Sequence, residues 1–110
     1  MTQLLVHTQL PDAASAQALA TLLLEQRLAA CVSILASVRS LYRWQGKLEI
    51  SEEVPLLIKT VAARYAEVEA LIKAQHPYEL PEIIATPITL GLPGYLAWLE
   101  TETAAVVQSC

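Results

Sequence analysis

The sequence predicts an α+β sandwich, with helices laid on one face of an antiparallel sheet. Three observations point there. Short apolar runs of strand length alternate with stretches of helical periodicity. Gln45-Gly46 separates two long segments of alternating pattern, the mark of a hairpin. Proline or glycine punctuates most of the remaining junctions. The 110 residues are the size of one domain. A domain of that length buries enough surface to fold without disulfide or metal.

Gln3–Gln9 is a short apolar run closed by a Leu10-Pro11 turn, and reads as the first strand. Asp12 is a suitable N-cap for a helix running to about Leu28. In it Ala16, Leu19, Ala20 and Leu23 recur at helical spacing, with Gln17, Thr21 and Glu25 opposite. Cys31–Trp44 reads as one strand, with Val32, Ile34, Ala36, Val38, Ser40, Tyr42 and Trp44 on one side. After Gln45-Gly46 the return strand is Lys47–Val61. Folding about that turn sets Arg39 opposite Glu52 and Tyr42 opposite Glu49. Each arm runs about a dozen residues, roughly twice the usual strand. Pro55 has no N–H for the ladder, so it marks a bulge or an edge. A second helix, about Ala63 to Gln75, carries Tyr65, Val68, Leu71 and Ile72 on one face. It stops at His76-Pro77, because a residue before proline disfavours the α region. Glu82–Leu90 is a strand interrupted by Pro87, and Gly91, Pro93 and Gly94 turn the chain. Tyr95 to about Thr103 is a final short helix, beyond which the last residues are expected to fray. The order β-α-β-β-α-β-α is that of a ferredoxin-like sandwich.

Composition narrows the function. Apolar residues are 55% and charged residues only 16%, so a globule this small must expose apolar side chains. Exposed apolar patches become interfaces, which predicts a homo-oligomer. A net charge of −4 with seven scattered basic residues gives no footprint for nucleic acid. No apolar run approaches the roughly 20 residues of a membrane-spanning helix. The opening MTQLLVHTQLPD lacks a basic region and a long apolar core, so a cytoplasmic location is expected, with Cys31 and Cys110 reduced. Their spacing matches no metal or redox motif. Cys31 reads as a small buried hydrophobe at a strand start, and Cys110 as an exposed thiol. His7, on an apolar strand, reads as a packed, hydrogen-bonded histidine. No phosphate loop or catalytic motif is present, and a Cys31/His76 nucleophilic pair lacks an orienting group. A non-enzymatic protein is therefore expected.

The blocks Leu28-Ala29-Ala30-Cys31, Leu41-Tyr42-Arg43-Trp44-Gln45-Gly46-Lys47-Leu48-Glu49 and Leu57-Ile58-Lys59-Thr60 follow one another in order. So do His76-Pro77-Tyr78-Glu79-Leu80-Pro81-Glu82-Ile83 and Tyr95-Leu96-Ala97-Trp98-Leu99. Together, from about Leu4 to Glu102, they are similar to the CutA divalent-cation tolerance family. The resemblance implies a cytoplasmic homotrimer of ferredoxin-like subunits with PII-like architecture, three long hairpins packed about a central axis. It also implies a role in tolerance of divalent metals, copper among them for some members. The family's copper ligands, a Cys near the end of strand one and two His before Pro-Tyr, fall by position at Thr8, Gln75 and His76. Only His76 keeps a metal-ligating side chain, so the resemblance implies at most a weak site there for Cu(II) or another divalent cation. His76 also fits a plainer role at a helix C-terminus, satisfying carbonyls.

Lys59 ends the apolar run Leu56-Leu57-Ile58, and a partly buried lysine seeks a carboxylate or an anion. With Glu49, Tyr78, Glu82 and Trp44 it forms a candidate ligand cleft. This supports an alternative reading, a PII-like regulatory module binding a small anion or a partner protein between subunits. Glu49 and Glu82 are equally candidates as oxygen ligands for a hard cation. Tyr42, Trp44, Tyr95 and Trp98 are candidate interface anchors, because Tyr and Trp are enriched at interface hot spots.

Overall fold

A computed structural model describes residues 2–105. Its elements are β1 (Gln3–Leu10), α1 (Ala13–Glu25), β2 (Cys31–Ile34), β3 (Val38–Trp44) and β4 (Lys47–Val61). A 3₁₀ turn (Ala62–Arg64) follows, then α2 (Tyr65–Gln75), β5 (Ile84–Ile88) and α3 (Pro93–Glu102). Cys110 and most of the expected frayed end lie outside the described residues. The sheet order is β2-β4-β1-β5, with β3 continuing along β4 past the end of β2, and all its ladders are antiparallel. This is the expected ferredoxin-like sandwich. Asp12 caps α1 through a 2.8 Å bond that its carboxylate accepts from the Ser15 N–H, which holds the carboxyl below its ordinary range.

One side of the sheet carries the core. Val6 and Leu10 of β1 and Leu56 and Ile58 of β4 pack on Ala16, Leu19 and Leu23 of α1 and Val68 and Ile72 of α2. Because side chains alternate along a strand, Gln3, Leu5, His7, Gln9, Pro55, Leu57, Lys59 and Val61 point to the other side. There α3 covers one end: Val61 and Leu99 are buried, and Gln3 donates to the Glu100 carboxylate at 2.7 Å. His7 is thus half-buried between Leu57 and Ile84 on the open side rather than in the core. Cys31, paired with Lys59, is likewise half-buried, so the expected buried cysteine is corrected.

The single strand expected from Cys31 to Trp44 is two. Between the Ile34↔Leu56 and Val38↔Glu53 pairs, Leu35, Ala36 and Ser37 oppose only Val54 and Pro55. That extra residue is a bulge, and Pro55 is its cause. The Pro55 carbonyl accepts from Leu35 N–H at 3.0 Å, but the proline has no N–H to return. The consequence is a change of face. Val32 and Ile34 point toward the helices, whereas Val38, Ser40, Tyr42 and Trp44 point to the open side. The hairpin register falls as expected, Arg39 opposite Glu52 and Tyr42 opposite Glu49. Gln45 and Gly46, at φ 51° and 79°, form the tight turn whose twist matches the strands.

Arg27 also takes a left-handed conformation, φ 56°, at the end of α1, where glycine is usual. Its guanidinium explains the choice. It donates to the carbonyls of Thr101 (2.9 Å) and Ala104 (3.4 Å), and Arg64 donates to that of Thr103 (2.9 Å). Two cations thus satisfy the carbonyl end of α3, favoured by both hydrogen bonding and the helix dipole.

Candidate functional site

The loop between α2 and β5 is fixed by His76. Proline at position 77 holds His76 in an extended conformation, ψ 134°, and its backbone N–H closes the helix on the Ile72 carbonyl. The ring is buried, and both nitrogens are used. Nδ1 accepts from the Tyr78 N–H at 3.1 Å, which leaves the proton on Nε2 to donate to the Gln9 carbonyl at 2.6 Å. This pins the loop to the end of β1, with the Tyr78 ring 4.7 Å from the imidazole.

A cleft of about 980 Å³ opens between that loop and the open side of the hairpin. Tyr42 and Trp44 of β3 and Tyr78 of the loop supply aromatic surface. Gln9, Ser40 and Ser51 supply polar groups, tied by a Ser40–Gln9 bond of 3.2 Å and a Tyr42–Ser51 bond of 2.8 Å. Glu53, Glu79 and Glu82 supply charge, and among the described residues no basic one lines the cleft. Glu53 is only 8% exposed, and among the described residues no Lys, Arg or His lies within 4.0 Å of it. Burial, then the charge and hydrogen bond of Glu53, push the Tyr78 hydroxyl up to about 12.

Of the residues singled out from sequence, Trp44, Tyr78 and Glu82 come together here, joined by Tyr42. Glu49, opposite Tyr42 in the hairpin, does not line the cleft. Lys59 is elsewhere. It donates to the Tyr95 hydroxyl at 3.4 Å and sits 5.5 Å from that ring's centre, which corrects its assignment to the cleft. Tyr95 and Trp98 pair on α3 with ring centres 5.4 Å apart, both partly exposed. Sequence reading missed Glu53, Glu79, Ser51 and Gln9. The Val38–Glu53 pairing was implied by the register, but only the bulge shows which side of the sheet it faces.

The copper ligand set carried by the resemblance does not fit these residues. Thr8 points into the helix layer, fully buried, with its hydroxyl lacking any hydrogen-bond partner. Gln75 is exposed at the end of α2, and His76 has no free ring nitrogen. Among the described residues no three His, Cys, Asp or Glu side chains are grouped to hold a metal ion.

Comparison with known proteins agrees with the fold and the motif blocks. The family profile of the CutA1 divalent ion tolerance protein matches residues 4–102. The divalent-cation tolerance protein CutA of Pectobacterium atrosepticum is 49% identical over 89 residues, 81% of each chain. The crystal structure of CutA from Xylella fastidiosa superposes with a TM-score of 0.90 at 44% identity, covering 93% of this chain and 98% of that one. A CutA from Archaeoglobus fulgidus, described as a periplasmic divalent cation tolerance protein, gives 0.90 at 35% identity, covering 93% and 99%. With the profile spanning nearly the whole chain and the sandwich reproduced, the chain belongs to the CutA1 divalent ion tolerance family.

Proposed function

We propose that the chain acts as a homotrimer in the response to divalent cations, a cytoplasmic binding protein rather than an enzyme, with the hairpin cleft as its ligand site. The observation that carries this is the apolar surface the single chain leaves uncovered. On the hairpin Leu41, Leu48 and Ile50 are each more than 60% exposed, and Ile84, Tyr95 and Trp98 stand out from β5 and α3. Surface of that kind is hidden by association. Among the described residues β2, β3 and β5 each have one unpaired edge. Pairing unlike edges head to tail closes a ring, which suits three copies better than an isologous dimer.

Family membership supports the link to divalent cations. The cleft supports binding over catalysis, since among the described residues no imidazole or thiol lines it and its two serines are hydrogen-bonded to Gln9 and Tyr42. The cytoplasm keeps the Cys31 thiol reduced. Metal contact is weak and does not run through His76, whose two nitrogens already hold the loop.

Sedimentation at micromolar concentration is expected to return three times the chain mass, and a monomer would overturn the trimer. Titration with Cu(II) against a competing chelator is expected to show weak binding, equal in the native protein and in His76→Ala. Tight stoichiometric binding lost in the variant would restore His76 as a ligand.

A further inference from the structure

We propose that the cleft takes an organic cation, an ammonium or guanidinium group on an aliphatic stem, held by Glu53 among the faces of Tyr42, Trp44 and Tyr78. This rests on reading the cleft as a ligand site. The central observation is a largely buried glutamate at the cleft wall with no basic side chain beside it. Glu53 is only 8% exposed and lines the cleft, and no basic side chain approaches it within 4.0 Å among the described residues. A carboxylate shielded in this way attracts a cation more strongly than one in open water. The group facing it is the Tyr78 phenol, which keeps its proton until about pH 12 and offers a hydrogen bond but no positive charge.

The walls favour the same class of ligand. Three aromatic residues line the cleft, and the electron-rich face of such a ring attracts a cation more strongly as water is excluded. Glu79 and Glu82 add negative charge, while Ser40, Ser51 and Gln9 offer oxygen acceptors to N–H donors. A small anion meets three carboxylates here and no lysine, since Lys59 is held by Tyr95. A hard metal ion needs six or more oxygens, and no three candidate ligands are grouped among the described residues. The volume of about 980 Å³ is at the upper end for small-molecule sites, so it has room for a stem of several methylenes. Two sources offer this chemistry, a free amine or a basic side chain of a second copy. Among the described residues Arg43 and Lys47, both exposed on the hairpin, have no carboxylate within 4.0 Å, and Arg43, whose guanidinium pairs with a carboxylate through two hydrogen bonds, is the candidate for the second source.

The test is calorimetry on the full chain with spermidine, 1,8-octanediol and glutarate as cationic, neutral and anionic probes. Spermidine is expected to bind at least about tenfold more tightly than either of the others. Glu53→Gln is expected to weaken it about tenfold, and Trp44→Leu and Glu82→Gln about threefold each. Thermal melting checks that each variant folds, and Glu82, being exposed, keeps the test open if Glu53→Gln does not. If a second copy fills the cleft, the native protein ignores spermidine and Arg43→Ala gains it. Arg43→Ala and Glu53→Gln then also lower the sedimenting mass. Equal binding of octanediol or glutarate overturns the proposal. So does indifference to spermidine with no effect of Glu53 or Arg43 on assembly. A trimer whose cleft ignores spermidine in both the native protein and Arg43→Ala sinks the proposal alone, whereas a monomer that binds spermidine sinks only the trimer.

Discussion

Single side chains decide whether the loop and the cleft exist. His76 makes two buried hydrogen bonds from one ring, so removing it frees the Gln9 carbonyl and the Tyr78 N–H together. His76→Ala is expected to lower stability by about 2–3 kcal/mol in chemical denaturation. Thr8 is the opposite case: its buried hydroxyl contributes no bond and carries the cost of leaving water. Thr8→Val keeps the shape, and is expected to stabilise the fold by about 1 kcal/mol. Tyr78 sets a pH limit. Its hydroxyl is raised from the ordinary 10.0 to about 12, so the folded state holds the proton more tightly than the unfolded chain. The stability this supplies is complete below pH 10 and is lost as the pH climbs through 12. Tyr78→Phe is expected to remove most of that loss, read from denaturation midpoints between pH 9 and 12. The smaller upward shift of Tyr65 would remain.

At the scale of elements, ends and interruptions matter more than interiors. The end of α1 adopts a conformation that costs a non-glycine residue energy, and it persists because Arg27 anchors α3. Arg27→Ala keeps the strain and loses the anchor. It is expected to cost about 1 kcal/mol, modest because the side chain is partly exposed, and to raise hydrogen exchange in the last turn of α3. The hairpin pairing was legible because a two-residue turn and opposite charges at Arg39 and Glu52 point to one register. Its facing was not. Alternation counted from Cys31 puts Val32 and Tyr42 on one side, and the bulge opposite Pro55 places them on opposite sides. Pro55 announced an irregularity in the sequence, but a proline signal does not say which strand carries the extra residue.

For the whole molecule, the covered face makes the subunit and the uncovered face is the one proposed to make the assembly. The helices shelter Val6, Leu56 and Ile58 completely, while the hairpin runs past them and leaves Leu41, Leu48 and Ile50 in solvent. The principal dimensions, 51 × 34 × 23 Å, belong to a compact sandwich with a projecting arm. Ile84→Glu places a charge on the uncovered β5, 55% exposed in one chain, so it is expected to spare the fold and lower the sedimenting mass. An unchanged trimer in this variant would move the interface away from β5.

The sequence by itself determined the order of elements, the caps, the hairpin turn and the family blocks, because each rests on local chemistry within a few residues. It also singled out Trp44, Tyr78 and Glu82, which the fold brings to one cleft. Tertiary structure alone decided that Glu53 joins Glu79 and Glu82 in the cleft and that Lys59 does not. It also decided that His76 spends both nitrogens on the loop. The first outcome depends on which side of the hairpin faces a loop some 25 positions further along the chain, and the second on a carbonyl 67 positions back, and no local propensity carries those distances.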